Sequence, residues 1–143
     1  MFHSIVVAYD GSDCSKKAAA AARELAIRFR SNLEAVHVIE LPKPVVTVEV
    51  VIPASASTEQ SIRREALMKL EEARDLLEAG NHPLTTLLEG LPGPSIVEHA
   101  NRLKSDLIVV GHRGLNRLEQ LMVGSVSQHV IRHARCPVLV IKD

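Results

Sequence analysis

Five short runs of β-branched and aliphatic residues recur along the chain: Ser4–Tyr9, Leu33–Ile39, Leu84–Leu88, Asp106–Val110 and Pro137–Ile141. Their near-continuous apolar character constrains the fold more than any other feature. A strand with one wet face alternates apolar and polar residues, whereas a strand covered on both faces does not, and the second pattern belongs to parallel sheets. The intervening segments have the helical period. Ala18, Ala22, Leu25 and Phe29 form a seam after Ser12 or Asp13 as N-cap, and its alanines let the helix sit close to the sheet. From about Thr58 to Ala79, residues Ile62, Ala66, Leu70, Ala73 and Leu77 share one stripe, Glu65 and Lys69 are spaced as an exposed i,i+4 pair, and Gly80-Asn81 with Pro83 closes the helix. A third helix is expected to start at Pro94, after Gly93, and to bury Ile96, Ala100 and Leu103. A fourth follows Gly124-Ser125 with Val126, Val130 and Ala134 inward. This alternation predicts an α/β fold, a right-handed, doubly wound five-stranded parallel sheet with helices on both faces.

Residues Leu41–Ser57 break the rhythm. Pro42, Pro44 and Pro53 bracket a run from Val45 to Ile52 with strong strand propensity and little charge. Left uncovered, such a run favours aggregation. It reads either as a loop or short strand packed on its own subunit or as a contact between subunits.

The bulk properties exclude several classes of function. At 143 residues the chain has the usual size of one domain. Aromatic residues are 2% of the total, with one Tyr, two Phe and no Trp, so stacking platforms for single-stranded nucleic acid are missing. Seventeen basic and seventeen acidic residues cancel, leaving no long-range field toward DNA or an anionic membrane. Any anion must be captured locally. The first residues lack a signal-peptide pattern and no run reaches membrane-spanning length, which makes the cytoplasm the expected location. Cys14 and Cys136, without C-x-x-C spacing, form neither a disulfide framework nor a structural zinc site.

Chemistry concentrates between Gly111 and Ser127. Gly111 and Gly114 follow the fourth strand, at the edge of an open α/β sheet where ligands bind, and glycine there lets backbone N–H groups approach a ligand. Gly124-Ser125 opens a helix, whose first N–H groups are free donors on a positive dipole end and suit phosphate oxygens. The same residues also fit a capping box, because Ser125 and Gln128 have S-x-x-Q spacing. Asp10, in Asp10-Gly11-Ser12-Asp13, reads as a turn residue or helix cap, or as a contact to ribose or a metal-bound water. Arg113 and Arg117 either pair with phosphates or are solvated.

The arrangement Gly111-x2-Gly114-x9-Gly124-Ser125 resembles the nucleotide-binding signature of the universal stress protein family, in its ATP-binding branch. The resemblance extends to Val7-Ala8-Tyr9-Asp10-Gly11-Ser12, His37-Val38-Ile39, Glu89-Gly90 and Cys136-Pro137-Val138-Leu139-Val140. It implies a strand order of 3-2-1-4-5, adenine held by the Val38 backbone, Ala8 and Asp10 lining the base and ribose side, and Gly111 against the ribose. It further implies that His112, Arg113, Gly114, Gly124, Ser125, Val126 and Ser127 surround the triphosphate of ATP, or the phosphates of ADP or AMP in its place, with Mg²⁺ bridging phosphate oxygens. A homodimer pairing the strands Pro137–Ile141 edge to edge is also implied.

No Rossmann G-x-G-x-x-G follows the first strand, and no Walker loop is present. The turn Asp10-Gly11-Ser12-Asp13-Cys14-Ser15 lacks the second glycine and leading serine of a pyrophosphate-releasing loop. His129 and His133 have metal-ligand spacing but no evident third ligand. The expected function is a regulatory ATP-binding module; the alternatives are a slow ATP-hydrolysing switch and a stress protein that binds no nucleotide.

Overall fold

A computed structural model describes residues 1–113 and 124–142 of the chain. In chain order the elements are β1 (Ser4–Ala8), α1 (Asp13–Phe29), β2 (Asn32–Ile39), the short β3 (Val45–Val46) and β4 (Val51–Ile52), α2 (Ala56–Leu77), β5 (Leu84–Glu89), α3 (Pro92–Leu103), β6 (Leu107–Gly111), α4 (Ser125–His133) and β7 (Val138–Ile141). Five strands form one parallel sheet in the order β5-β2-β1-β6-β7. Counted over the five long runs this is 3-2-1-4-5, as the resemblance implies. The winding reverses between β1 and β6, where Ile5 pairs with Leu33 on one side and Leu107 on the other.

Because side chains alternate across a strand, each strand feeds two cores. Ile5, Val7, Leu33, Ala35, Leu107 and Val109 pack with the alanines of α1 and with Ala73 and Leu77 of α2. Val6, Val36, Ile108 and Val110 pack with Ile96, Val97 and Ala100 of α3 and Val130 of α4. Apolar residues on both faces explain the unbroken hydrophobic runs. Among the described residues no helix is long and apolar enough to cross a membrane.

Helix ends and faces depart from the periodicity in physically instructive ways. Ser12 is the N-cap of α1 and accepts the Ser15 N–H. The buried stripe of α1 is Ser15, Ala18, Ala19, Ala22 and Ala26, a phase set by small side chains against the sheet. Leu25 falls to its flank, and Phe29 is 41% exposed with its ring edge-on to Phe2 at 5.4 Å. In α2, Ala66, Leu70, Ala73 and Leu77 are buried as expected, and Lys69 pairs with Glu65 at 3.5 Å. Helix α3 starts at Pro92, not Pro94, and so takes Gly93 into its first turn. A Cβ on Gly93 would stand 2.8 Å from the His129 Cβ, so this glycine serves close packing of α3 on α4. Leu103, expected inside, is 42% exposed at the C-terminal turn of α3.

The Leu41–Ser57 segment holds a two-stranded antiparallel hairpin, Val45 opposite Ile52 and Val46 opposite Val51. Val45, Val46, Val48, Val50, Val51 and Ile52 are each more than half exposed. The expectation that it packs on its own subunit is therefore corrected: the hairpin stands clear of both cores. Its reversal is held locally, by Thr47 N–H and Oγ1–H to the Val50 carbonyl and Val50 N–H to Thr47 Oγ1.

Gly111 owes its identity to packing. A Cβ there would meet Cys14 Cβ at 2.8 Å and the Cys14 carbonyl carbon at 2.9 Å, where α1 starts against β6. Gly111→Ala is expected to cost about 1–3 kcal/mol by overpacking, read as a lowered denaturant midpoint; an unchanged midpoint would show that α1 can move away. Val48→Ser with Val50→Ser is expected to change stability by less than about 0.5 kcal/mol, as for exposed positions. A large loss would mean that an assembly covers the hairpin.

Candidate functional site

Strands β1 and β6 diverge past Ala8 and Gly111, because their chains turn to opposite faces of the sheet, and a crevice opens between them. Its volume is about 380 Å³, in the range of small-molecule sites. One wall is apolar, built from Ala8, Val36, Val38, Pro92, Ile96, Val110 and Val126. These are the α3 and α4 face of the sheet carried to its C-terminal edge. The other end is polar, with Asp10, Ser12, Ser15, His112, Arg113, Gly124, Ser125 and Ser127.

The polar end is organised by the start of α4. Gly124 is the N-cap and carries no side chain to satisfy the helix; its own N–H goes to the His112 carbonyl at 2.8 Å. The N–H groups of Ser125, Val126 and Ser127 make no hydrogen bond among the described residues. Three adjacent donors on the positive end of a helix dipole thus face the crevice. The Ser125 and Gln128 capping box does not form, since Ser125 lies inside the helix and Gly124 takes the cap position. Ser127 is buried and its hydroxyl donates to the backbone, 2.9 Å from the Gly124 carbonyl and 3.1 Å from that of His112. That proton is committed to holding the helix start against β6. His112 ties the same corner to the sheet edge through its N–H to the Ile141 carbonyl at 2.7 Å, and its Nδ1 is buried without a hydrogen-bond partner among the described residues.

The apolar end has its own unpaired backbone. In β2 the even-numbered residues hydrogen-bond toward β1: Asn32 N–H donates to the His3 carbonyl and Tyr9 N–H to the Val36 carbonyl. The odd-numbered ones face β5, where Gly90 N–H donates to the Ile39 carbonyl. Strand β1 stops at Ala8 while β2 runs on to Ile39. Val38 therefore turns its N–H and C=O toward the crevice, and neither is hydrogen-bonded among the described residues. Such a donor and acceptor pair, spaced as in a strand edge, matches the edge of a nucleobase.

Asp10 makes the turn that ends β1. Its Oδ1 accepts the Ser12 N–H at 2.9 Å, and Gly11 beside it has φ +84°, a conformation that favours glycine. His37 is buried, and its Nδ1 lies 2.7 Å from the Tyr9 carbonyl. Burial lowers its pKa, the Tyr9 carbonyl opposes that shift, and Lys69 adds to it. The ring is thus neutral, with its proton on Nδ1.

The crevice gathers Ala8, Asp10, Val38, Gly111, His112, Arg113, Gly124, Ser125, Val126 and Ser127 from the sequence reading. Gly114 and Arg117 lie outside the described residues. Tyr9, Ser12, Ser15, Val36, His37, Pro92, Ile96 and Val110 also line it and were not among the expected ligand-binding residues. The signal for His37 and Val36 was present in their adjacency to Val38 beyond the end of the first strand. His129 and His133 stack at 4.1 Å, with His133 Nδ1 2.9 Å from the His129 carbonyl. Among the described residues no group of three metal-ligating side chains occurs.

The profile of the universal stress protein family matches residues 1–142. The universal stress protein YxiE of Bacillus subtilis is 37% identical, over 99% of this chain and 100% of its own length. The universal stress protein MJ0531 of Methanocaldococcus jannaschii is 36% identical, over 99% of this chain and 83% of its own. Among solved structures, a universal stress protein in complex with cAMP superposes with a TM-score of 0.75 at 24% identity, covering 98% of this chain and 97% of that one. The universal stress protein of Archaeoglobus fulgidus in complex with dAMP does so with a TM-score of 0.68 at 21% identity, covering 98% of each chain. Sheet order, helix placement and a match over nearly the whole sequence agree: the chain belongs to the universal stress protein family.

Proposed function

We propose that this chain is a regulatory adenine-nucleotide-binding module of the cytoplasm, with ATP and Mg²⁺ as its ligand. The observation that carries the reading is the pairing, across one apolar-walled crevice, of a Val38 backbone donor and acceptor with three N–H groups at the start of α4, none of them hydrogen-bonded among the described residues. The adenine edge hydrogen-bonds to Val38, and the base lies against Ala8, Val36 and Val110. Asp10 and Gly111 flank the ribose. The phosphates reach Ser125, Val126 and Ser127 N–H, with the Ser125 hydroxyl, His112 and Arg113 around them, and Gly114 and Arg117 on the adjoining segment. Mg²⁺ supplies charge neutralisation among the phosphate oxygens, which a chain of zero formal net charge does not provide at long range. The cAMP and dAMP complexes of the two fold relatives support an adenine nucleotide.

Among the described residues no carboxylate or histidine is arranged as a base for an attacking water in this reading, so binding, and the surface it fixes, is the proposed output. A homodimer through β7 completes the proposal: one side of β7 pairs with β6 and the other is the open edge of the sheet, which a second copy would cover.

Saturating Mg-ATP is expected to raise the melting temperature, and a non-hydrolysable analogue to raise it equally. Phosphate release at roughly 1 per second or faster would replace the binding module with an enzyme. No shift with ATP, ADP or AMP would leave a stress protein without a nucleotide, and mass spectrometry of ligand released from the purified protein identifies the resident one. Gly124→Val places a Cβ 3.2 Å from the His112 carbonyl oxygen and adds methyls where phosphate oxygens approach. Its ATP affinity is expected to fall at least about tenfold, or 1.4 kcal/mol, with the circular dichroism spectrum retained; unchanged affinity would put the phosphates elsewhere. A monomer in sedimentation at micromolar concentration would refute the β7 dimer.

A further inference from the structure

We propose that His37 is a positioning residue that keeps the Val38 N–H open for a ligand by capturing the carbonyl that would otherwise consume it. This inference rests on the adenine reading above. The ladder between β1 and β2 breaks off at His37. Its rungs alternate regularly, with Asn32 N–H donating to His3 at one end and Tyr9 N–H donating to Val36 at the other. In a parallel ladder the next rung would run from Val38 N–H to the Tyr9 carbonyl. That rung is not made. The Tyr9 carbonyl instead accepts the His37 Nδ1–H at 2.7 Å.

His37 is the residue of β2 best placed to do this. Odd-numbered side chains of β2 project to the α1 and α2 face, as Leu33 and Ala35 do, so the imidazole draws the Tyr9 carbonyl out of the sheet plane toward that face. The Tyr9 peptide is then fixed at both ends, its N–H by Val36 and its C=O by His37, and β1 ends there. One neutral side chain thereby terminates a strand pairing and leaves the neighbouring main-chain donor exposed to the crevice. The arrangement also fixes the direction of the Asp10 N–H, which shares a peptide unit with the Tyr9 carbonyl and donates to Ser15 Oγ at 3.4 Å.

The test uses two substitutions with opposite expectations. His37→Leu removes the donor and lets the Tyr9 carbonyl return to the ladder; His37→Asn places an amide N–H near the position of Nδ1 and preserves the capture. Without ligand, amide hydrogen exchange followed by NMR reads the rung directly. The Val38 amide is expected to exchange fast in the wild-type chain and in His37→Asn, and to become at least about tenfold more protected in His37→Leu. With ligand, His37→Leu is expected to bind ATP about tenfold more weakly, the worth of one hydrogen bond, and His37→Asn to restore most of it. Binding of 1-deaza-ATP, which lacks the acceptor for the Val38 N–H, should be equal in wild type and His37→Leu. A Val38 amide already protected in the wild type, or left unprotected in a folded His37→Leu, overturns the proposal. So does ATP binding by His37→Leu equal to wild type. Wild-type chain that shows the exchange pattern but binds no adenine nucleotide overturns the nucleotide reading and the ligand role of the rung, while the strand-ending role of His37 stands.

Discussion

Everything at the ligand edge depends on how the central strand ends. Strand β1 is paired on both sides, by β2 and by β6, so where it ends the main chain of each neighbour has to find other partners. On the β2 side the unpaired groups belong to Val38. On the β6 side the chain past Gly111 is caught by Ile141 of β7, and the His112 carbonyl is turned toward the start of α4. An unpaired buried backbone group costs about as much as a lost hydrogen bond. A crevice bordered by several of them is stable only where water or a ligand completes the set. The sheet thus creates a demand for polar atoms along a wall that is otherwise aliphatic.

That demand is local, in keeping with the charge of the chain. Equal numbers of acidic and basic residues give no field that gathers anions from a distance. The proposed capture would rely on oriented N–H groups at short range, which screening by salt weakens little compared with exposed ion pairs. Gly124 is central to this economy. A serine or aspartate at the cap of α4 would satisfy the helix start internally; glycine leaves the donors outward while its own N–H fastens the turn to His112.

The five sheet strands were legible because burial on both faces imprints an unbroken aliphatic run, and their boundaries moved by only a residue or so. Helix faces were less legible where small residues set the packing. Alanine does not distinguish inside from outside by composition, so the choice between Ala26 and Phe29 as the floor of α1 depended on the sheet below it. Gly93 shows the same difficulty from the other side: it reads as a break before a helix, and its reason for being glycine is His129, thirty-six positions away. At the site, the free donors of α4 followed from a glycine before a helical pattern. The role proposed for Val38 came only through resemblance, because which backbone groups a strand leaves unpaired depends on where its neighbour stops.

Tyr9 is the single tyrosine of a chain without tryptophan, and it is buried at the end of β1, beside the crevice. Its carbonyl takes part in the contact that ends the strand. The ultraviolet emission of this protein therefore originates almost wholly from one ring, packed in the α1 and α2 core at the residue that ends β1. Intrinsic fluorescence, normally an average over scattered aromatics, is here an optical signal from one address in the fold.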